Sequence, residues 1–178
     1  HDGEVVRELS DAQRQRFEAA RRAGTTGLEG AIDEDGQVFL THYSHQPITR
    51  TDPTRFGQGL SRTTKGDRDR VKTAPPRTYF GLERVNHNPY KGESGLGSFS
   101  NEYKIDGAKL YNLNQDPENL YNPDPWKADE NEWAIYDAGY DGYFVDSADL
   151  GKVAAVFVPL DAVNLSKRIE DGNREGRD

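Results

Sequence analysis

The chain has 178 residues, no Cys, no Met and a formal net charge of −8, which is room for one domain with a core and too little for two. The lack of Cys excludes disulfides and Cys-based metal sites or nucleophiles, no run reaches the ~18 apolar residues of a membrane span, and the acidic balance argues against a broad phosphate-binding face. Hydrophobic residues make up 33% and charged ones 30%, so the expected core is small and depends on nine Tyr, seven Phe and two Trp.

In chain order, Ser10-Asp11-Ala12-Gln13 is a capping box that opens a predicted helix over 11–23, closed by Gly24 in the stop position. A Gly-rich acidic loop follows to Gly36. Alternation over 37–43 predicts a strand with Val38, Leu40 and His42 on one face and Phe39, Thr41 and Tyr43 on the other. The polar run 63–76 reads as a mobile loop, and its basic cluster Arg62, Lys65, Arg68, Arg70, Lys72 and Arg77 as a solvated face. Residues 77–83 form a second strand with Tyr79 opposite Phe80 and Leu82.

After a second Gly-rich loop over 86–101, strands are expected over 102–105 and near 109–113. Asp116-Pro117 and Asp124-Pro125 each read as an N-cap followed by Pro at a helix start. The second helix is expected to run to about Ala138, with Trp126, Trp133 and Tyr136 as inward anchors. Residues 143–146 and 152–159 read as the last two strands, and the charged residues after about Ser166 as frayed. One domain spans 1–178 on this reading, with a helical segment about 1–30, a core about 37–165 and a tail over 166–178.

His45 and His87 lack HxH or HxxxH spacing, so no metal is expected. Ser44 has no GxSxG surroundings, and Gly57-Gln58-Gly59 lacks the further residues of a dinucleotide or phosphate loop. On its own, a strand His beside aliphatic residues reads as a half-buried packed histidine, and Tyr79 as a β-forming aromatic packed on the sheet.

Leu40-Thr41-His42-Tyr43-Ser44, Thr51-Asp52-Pro53, Phe56-Gly57-Gln58-Gly59, Arg77-Thr78-Tyr79-Phe80, Gly95-Leu96-Gly97, Asp116-Pro117 and Gly139-Tyr140-Asp141-Gly142 occur in that order. This arrangement, covering roughly residues 38–163, resembles the ADP-ribosyltransferase superfamily. The branch is that of diphtheria toxin and the poly-ADP-ribose polymerases, in the form seen in phage polyvalent proteins and bacterial polymorphic toxins. The resemblance implies an α+β fold: a split β-sheet core with an N-terminal helix and a few flanking helices.

It also implies NAD as co-substrate and mono-ADP-ribosylation of a macromolecular acceptor by an effector or toxin domain. Such a domain is expected to be cut from or embedded in a larger delivered protein acting in a target cell's cytoplasm, with an immunity or partner protein as a further binder. NAD glycohydrolase activity and a non-catalytic binding module on the same fold are the alternatives.

Cleaving the nicotinamide–ribose bond passes through an oxocarbenium-like cation and expels a leaving group that is already cationic. The protein must therefore fix the dinucleotide and stabilise ribose charge. By resemblance, His42 donates to ribose hydroxyls and Tyr79 lies against the nicotinamide, the two lining one groove. Tyr43, Ser44, Arg50, Gly57, Gly59 and Phe80 complete the implied NAD-binding set. Where relatives carry a catalytic Glu, this chain has Val153 or Lys152, so poly-ADP-ribose extension is not expected. Asp146, Asp149 or Glu132 are the candidate replacement carboxylates.

Overall fold

The computed structural model describes residues 7–55, 74–86, 97 and 99–168. Among them one mixed sheet of seven strands runs in the order β4-β5-β6-β2-β1-β3-β7, with two α-helices, making an α+β architecture. The strands are β1 (Gln37–Ser44), β2 (Thr78–Gly81), β3 (Phe99–Asp106), β4 (Leu110–Asn112), β5 (Gly142–Ser147), β6 (Gly151–Val156) and β7 (Ala162–Arg168), and the helices α1 (Asp11–Ala23) and α2 (Ala128–Asp137). All neighbouring pairs are antiparallel except β4–β5.

Helix α1 starts and stops as its sequence dictates. The Ser10 hydroxyl accepts from the Gln13 amide, the Gln13 side chain accepts from the Ser10 amide, and Gly24 closes the helix at φ 69°. In β1 the alternation is also as expected, with Val38 and Leu40 buried and their neighbours half-buried.

The sheet separates two cores. On the first face Val38, Leu40, Phe80, Leu82, Tyr103, Ile105, Phe144, Ala154 and Val156 pack under Leu28, Ala31 and Leu160. On the second, Tyr111, Tyr143, Ala155 and Phe157 pack against Leu9, Tyr140 and Ile135 of α2. Gly142 is needed opposite Val156 at the end of the β5–β6 ladder, because a Cβ there would run into the Ala155 carbonyl and stand 3.0 Å from Val156 Cα.

Four expectations are corrected. Asp116-Pro117 begins no helix: Asp116 itself sits at φ 48° and its carboxylate accepts the Leu120 and Tyr121 amides and the Tyr111 hydroxyl, which closes a turn. Trp126 lies on a 3-10 turn before α2 and is 93% exposed, so it is no inward anchor; Tyr136 packs on the second core as expected, beside the buried Ile135 and Glu132. The chain also has an edge strand, β7, whose register Ser100↔Lys167 and Phe99↔Arg168 carries ordered backbone past Ser166. Arg77, grouped with the solvated cluster, is among the most buried side chains in the protein at 2%.

Candidate functional site

Strands β1 and β2 lie side by side but share a single register pair, Thr41↔Gly81. Residues 42–44 of β1 pair with β3, and residues 78–80 of β2 pair with β6. With no β1–β2 register pair beyond Thr41↔Gly81, the two strands part there, and His42 stands at the parting. Its Nδ1 lies 2.9 Å from the Tyr79 carbonyl oxygen. Since a carbonyl only accepts, Nδ1 carries the proton, and in the neutral ring Nε2 becomes an acceptor. Burial lowers the His42 pKa, with the bond to Tyr79 opposing it, so the ring is neutral at pH 7. In that neutral tautomer Nε2 can accept a hydrogen bond and cannot donate one.

The ring is packed as well as tethered. Phe80 lies at 5.5 Å between centroids and Tyr103 at 6.4 Å, both on the first face. Asn101, the Cα partner of His42 on β3, is 5% exposed and donates to the Ile48 carbonyl, as the Tyr103 hydroxyl does at 2.6 Å. Its Oδ1 is buried without a hydrogen-bond partner. Phe80, expected to touch the cofactor, is instead a 3% exposed core residue that supports His42 from below.

Tyr79 points the other way. Residues opposite one another in an antiparallel pair share a face, so the Thr41↔Gly81 register puts Tyr79 and Tyr43 on one side and His42 with Phe80 on the other. Tyr79 pairs with Ala155 of the second core. Its hydroxyl accepts from Arg77 Nε at 2.8 Å, and its ring is 43% exposed. The expectation that both rings line one groove is corrected, because the strand register sets their faces and sequence spacing does not.

Of the candidate acids, Glu132 is held by Arg77 Nε at 3.0 Å with both side chains at 4% exposure or less, and it accepts from the Tyr143 hydroxyl at 3.3 Å. Asp146 is bound by Lys152 Nζ at 2.7 Å on the outer part of β5, three strand spacings or about 14 Å from β1. It does not reach His42. Lys152 turns to the first face toward Asp146, whereas Val153 pairs with Gly81 and Val145 on the second. Asp149 is exposed in the turn between β5 and β6.

Arg50 pairs with Asp161 at 2.8 Å, both well exposed, at an isolated bridge. The Ser44 hydroxyl donates to the Gln46 carbonyl and closes the turn leaving β1. The Tyr43 hydroxyl donates to Glu83 Oε2 at 2.5 Å. Gly57, Gly59, His87 and most of the basic cluster lie outside the described residues.

Two polar groups at the site, Glu83 and Asn101, were not singled out from sequence, and the buried Arg77 was grouped with the basic cluster. Only their partners reveal them. Two cavities, of about 200 and 410 Å3, open elsewhere, beside α2, and share Tyr121, Asn122, Pro123 and Asn131 in their walls. Among the described residues no group of three His, Asp or Glu gathers where it would hold a metal ion, and no helix is long and apolar enough to cross a membrane.

No family model matches the chain, and neither a curated protein nor a solved structure matches it.

Proposed function

We propose that this chain is an NAD-dependent mono-ADP-ribosyltransferase whose dinucleotide lies in the parting between β1 and β2. The observation that carries the reading is the neutral His42 imidazole, tethered through Nδ1 to the Tyr79 carbonyl with Nε2 as its remaining acceptor. A ribose hydroxyl is a donor of the right kind for that nitrogen. A ligand at the parting of these adjacent strands would meet backbone and side chains from both. It would touch His42 from the first face and Tyr79 from the second, so the two rings need not share a groove.

Chemically, the site's task is positioning. The imidazole holds ribose, the Tyr79 ring offers an aromatic surface of nicotinamide size, and the Arg77 bond to its hydroxyl fixes that ring. A second reading, an NAD-binding module that performs no cleavage, is favoured by the lack of an acid at Val153 or Lys152, where the resemblance places the catalytic Glu. Incubating the chain with labelled NAD and a cell lysate separates these. Label transferred to a macromolecule supports the transferase. Free ADP-ribose alone makes it a glycohydrolase, and NAD bound but intact supports the module.

A further inference from the structure

Gly81 leaves a gap on the second face of β2, and a carboxylate fills it. The Glu83 side chain folds back so that its Cδ stands 2.8 Å from where a Gly81 Cβ would be. Three strands converge on this group. Tyr43 from β1 donates its hydroxyl to Oε2 at 2.5 Å. Asn86 donates Nδ2 to Oε1 at 2.5 Å, and the same amide is locked to β6 by accepting from the Lys152 amide at 2.7 Å and donating to its carbonyl at 3.2 Å. Opposite Gly81 on β6 stands Val153.

We propose that Glu83 is the catalytic carboxylate of this site, taking the ribose 2′-hydroxyl of NAD in place of the acid absent at Val153 or Lys152. The inference rests on the reading of the chain as an NAD-cleaving enzyme. Tyr79, Gly81 and Val153 share the second face, and Gly81 lies two residues or about 7 Å along β2 from Tyr79. The carboxylate thus sits one nucleoside's reach from the ring proposed for nicotinamide. Its hydrogen bonds to Tyr43 and Asn86 fix its direction before substrate arrives, which is what a group stabilising transition-state charge requires.

In the reaction, the bond between ribose C1′ and the nicotinamide nitrogen breaks with its electron pair going to nitrogen, releasing neutral nicotinamide. The 2′-hydroxyl, held by Glu83, shares the positive charge that develops on the ribose. An acceptor oxygen then bonds to C1′, and the proton it loses passes to the Glu83 carboxylate and on to solvent.

The test is nicotinamide release and NAD affinity by calorimetry, on the full chain and its variants. Glu83→Gln should lower kcat by about 100-fold or more, a far larger loss than any fall in NAD affinity. Gly81→Ala keeps the acid but places a methyl where the carboxylate rests, and should lower kcat likewise. Val153→Glu added to Glu83→Gln should restore part of the rate, which a merely structural Glu83 would not permit. Wild-type kcat in Glu83→Gln, or in Gly81→Ala, overturns the assignment while leaving the NAD reading standing. A wild-type chain that binds NAD but releases no nicotinamide overturns both.

Discussion

His42 and Tyr79 come from adjacent strands and carry their rings on opposite faces of the sheet, yet they meet through one bond, imidazole Nδ1 to the Tyr79 carbonyl at 2.9 Å. The bond fixes the tautomer of the histidine and spans the place where β1 and β2 part. Ring orientation and strand separation are therefore one feature, and a change at His42 acts on both.

The first prediction concerns pH. His42 has a lowered pKa in the folded protein because burial disfavours its charged form, so below about pH 6.5 the unfolded chain binds a proton that the folded one resists. This contribution to stability is complete above that pH and is lost as pH falls toward the folded value. Urea unfolding between pH 8 and pH 5 should show a decline in stability that is smaller in His42→Gln. Equal declines in both proteins would contradict the buried neutral ring. NAD affinity should hold over that range and weaken only as pH falls through the lowered His42 pKa, since a protonated Nε2 donates and no longer accepts.

The buried pair Arg77–Glu132 makes a second prediction. Removing one partner strands a charge in an apolar setting, so Glu132→Gln and Arg77→Met should each destabilise by about 3–5 kcal/mol, while the double replacement Arg77→Met with Glu132→Leu should recover most of that loss. Both side chains are at 4% exposure or less. Chemical denaturation reads the result. If Glu132→Gln keeps full stability and abolishes NAD turnover, Glu132 is catalytic and its structural assignment fails.

Gly142 should tolerate no side chain. Its added Cβ would press on backbone of β6, at the Ala155 carbonyl and Val156 Cα, and backbone in a paired ladder yields less than a side-chain tip. Gly142→Ala should cost on the order of 1–3 kcal/mol, seen as a lowered Tm. An unchanged Tm would contradict the close approach of the β6 backbone to Gly142.

Helix α2 offers a contrast within one element. Ile135 is 1% exposed and Trp126, just ahead of the helix, 93%. Ile135→Ala should cost about 2–5 kcal/mol, and Trp126→Ser within about 0.5 kcal/mol of nothing. Thermal melts of the two variants settle which residue anchors this segment.

What the sequence showed and what it hid divide along physical lines. Helix α1 was legible to the residue because its signals are local: a capping box at Ser10 and Gln13 and a left-handed Gly24. The inward set Val38, Leu40 and His42 followed from period-2 alternation within one strand. Comparing faces between strands needs the register, and shifting a register by one residue flips every side chain. The sequence contains nothing that fixes Thr41 opposite Gly81, so the shared groove of His42 and Tyr79 was expected and not found.

Long-range partners were hidden for the same reason. Arg77 reads as one more cation in a basic stretch until Glu132, 55 positions later, neutralises it in the core. Edge strand β7 escaped notice because Asn164, Ser166, Lys167 and Arg168 interrupt the apolar pattern, as is common on edges. Glu83 carried no local signal at all. It becomes a site residue through the empty face of Gly81 and the hydroxyl of Tyr43.

The most direct test of the account is a crystal structure with a non-hydrolysable NAD analogue. The account predicts the dinucleotide between β1 and β2, with a ribose hydroxyl donating to His42 Nε2 and the His42–Tyr79 bond intact. An analogue seated in the cavities beside α2, or a refined structure in which β1 and β2 pair fully with no ligand between them, would contradict it.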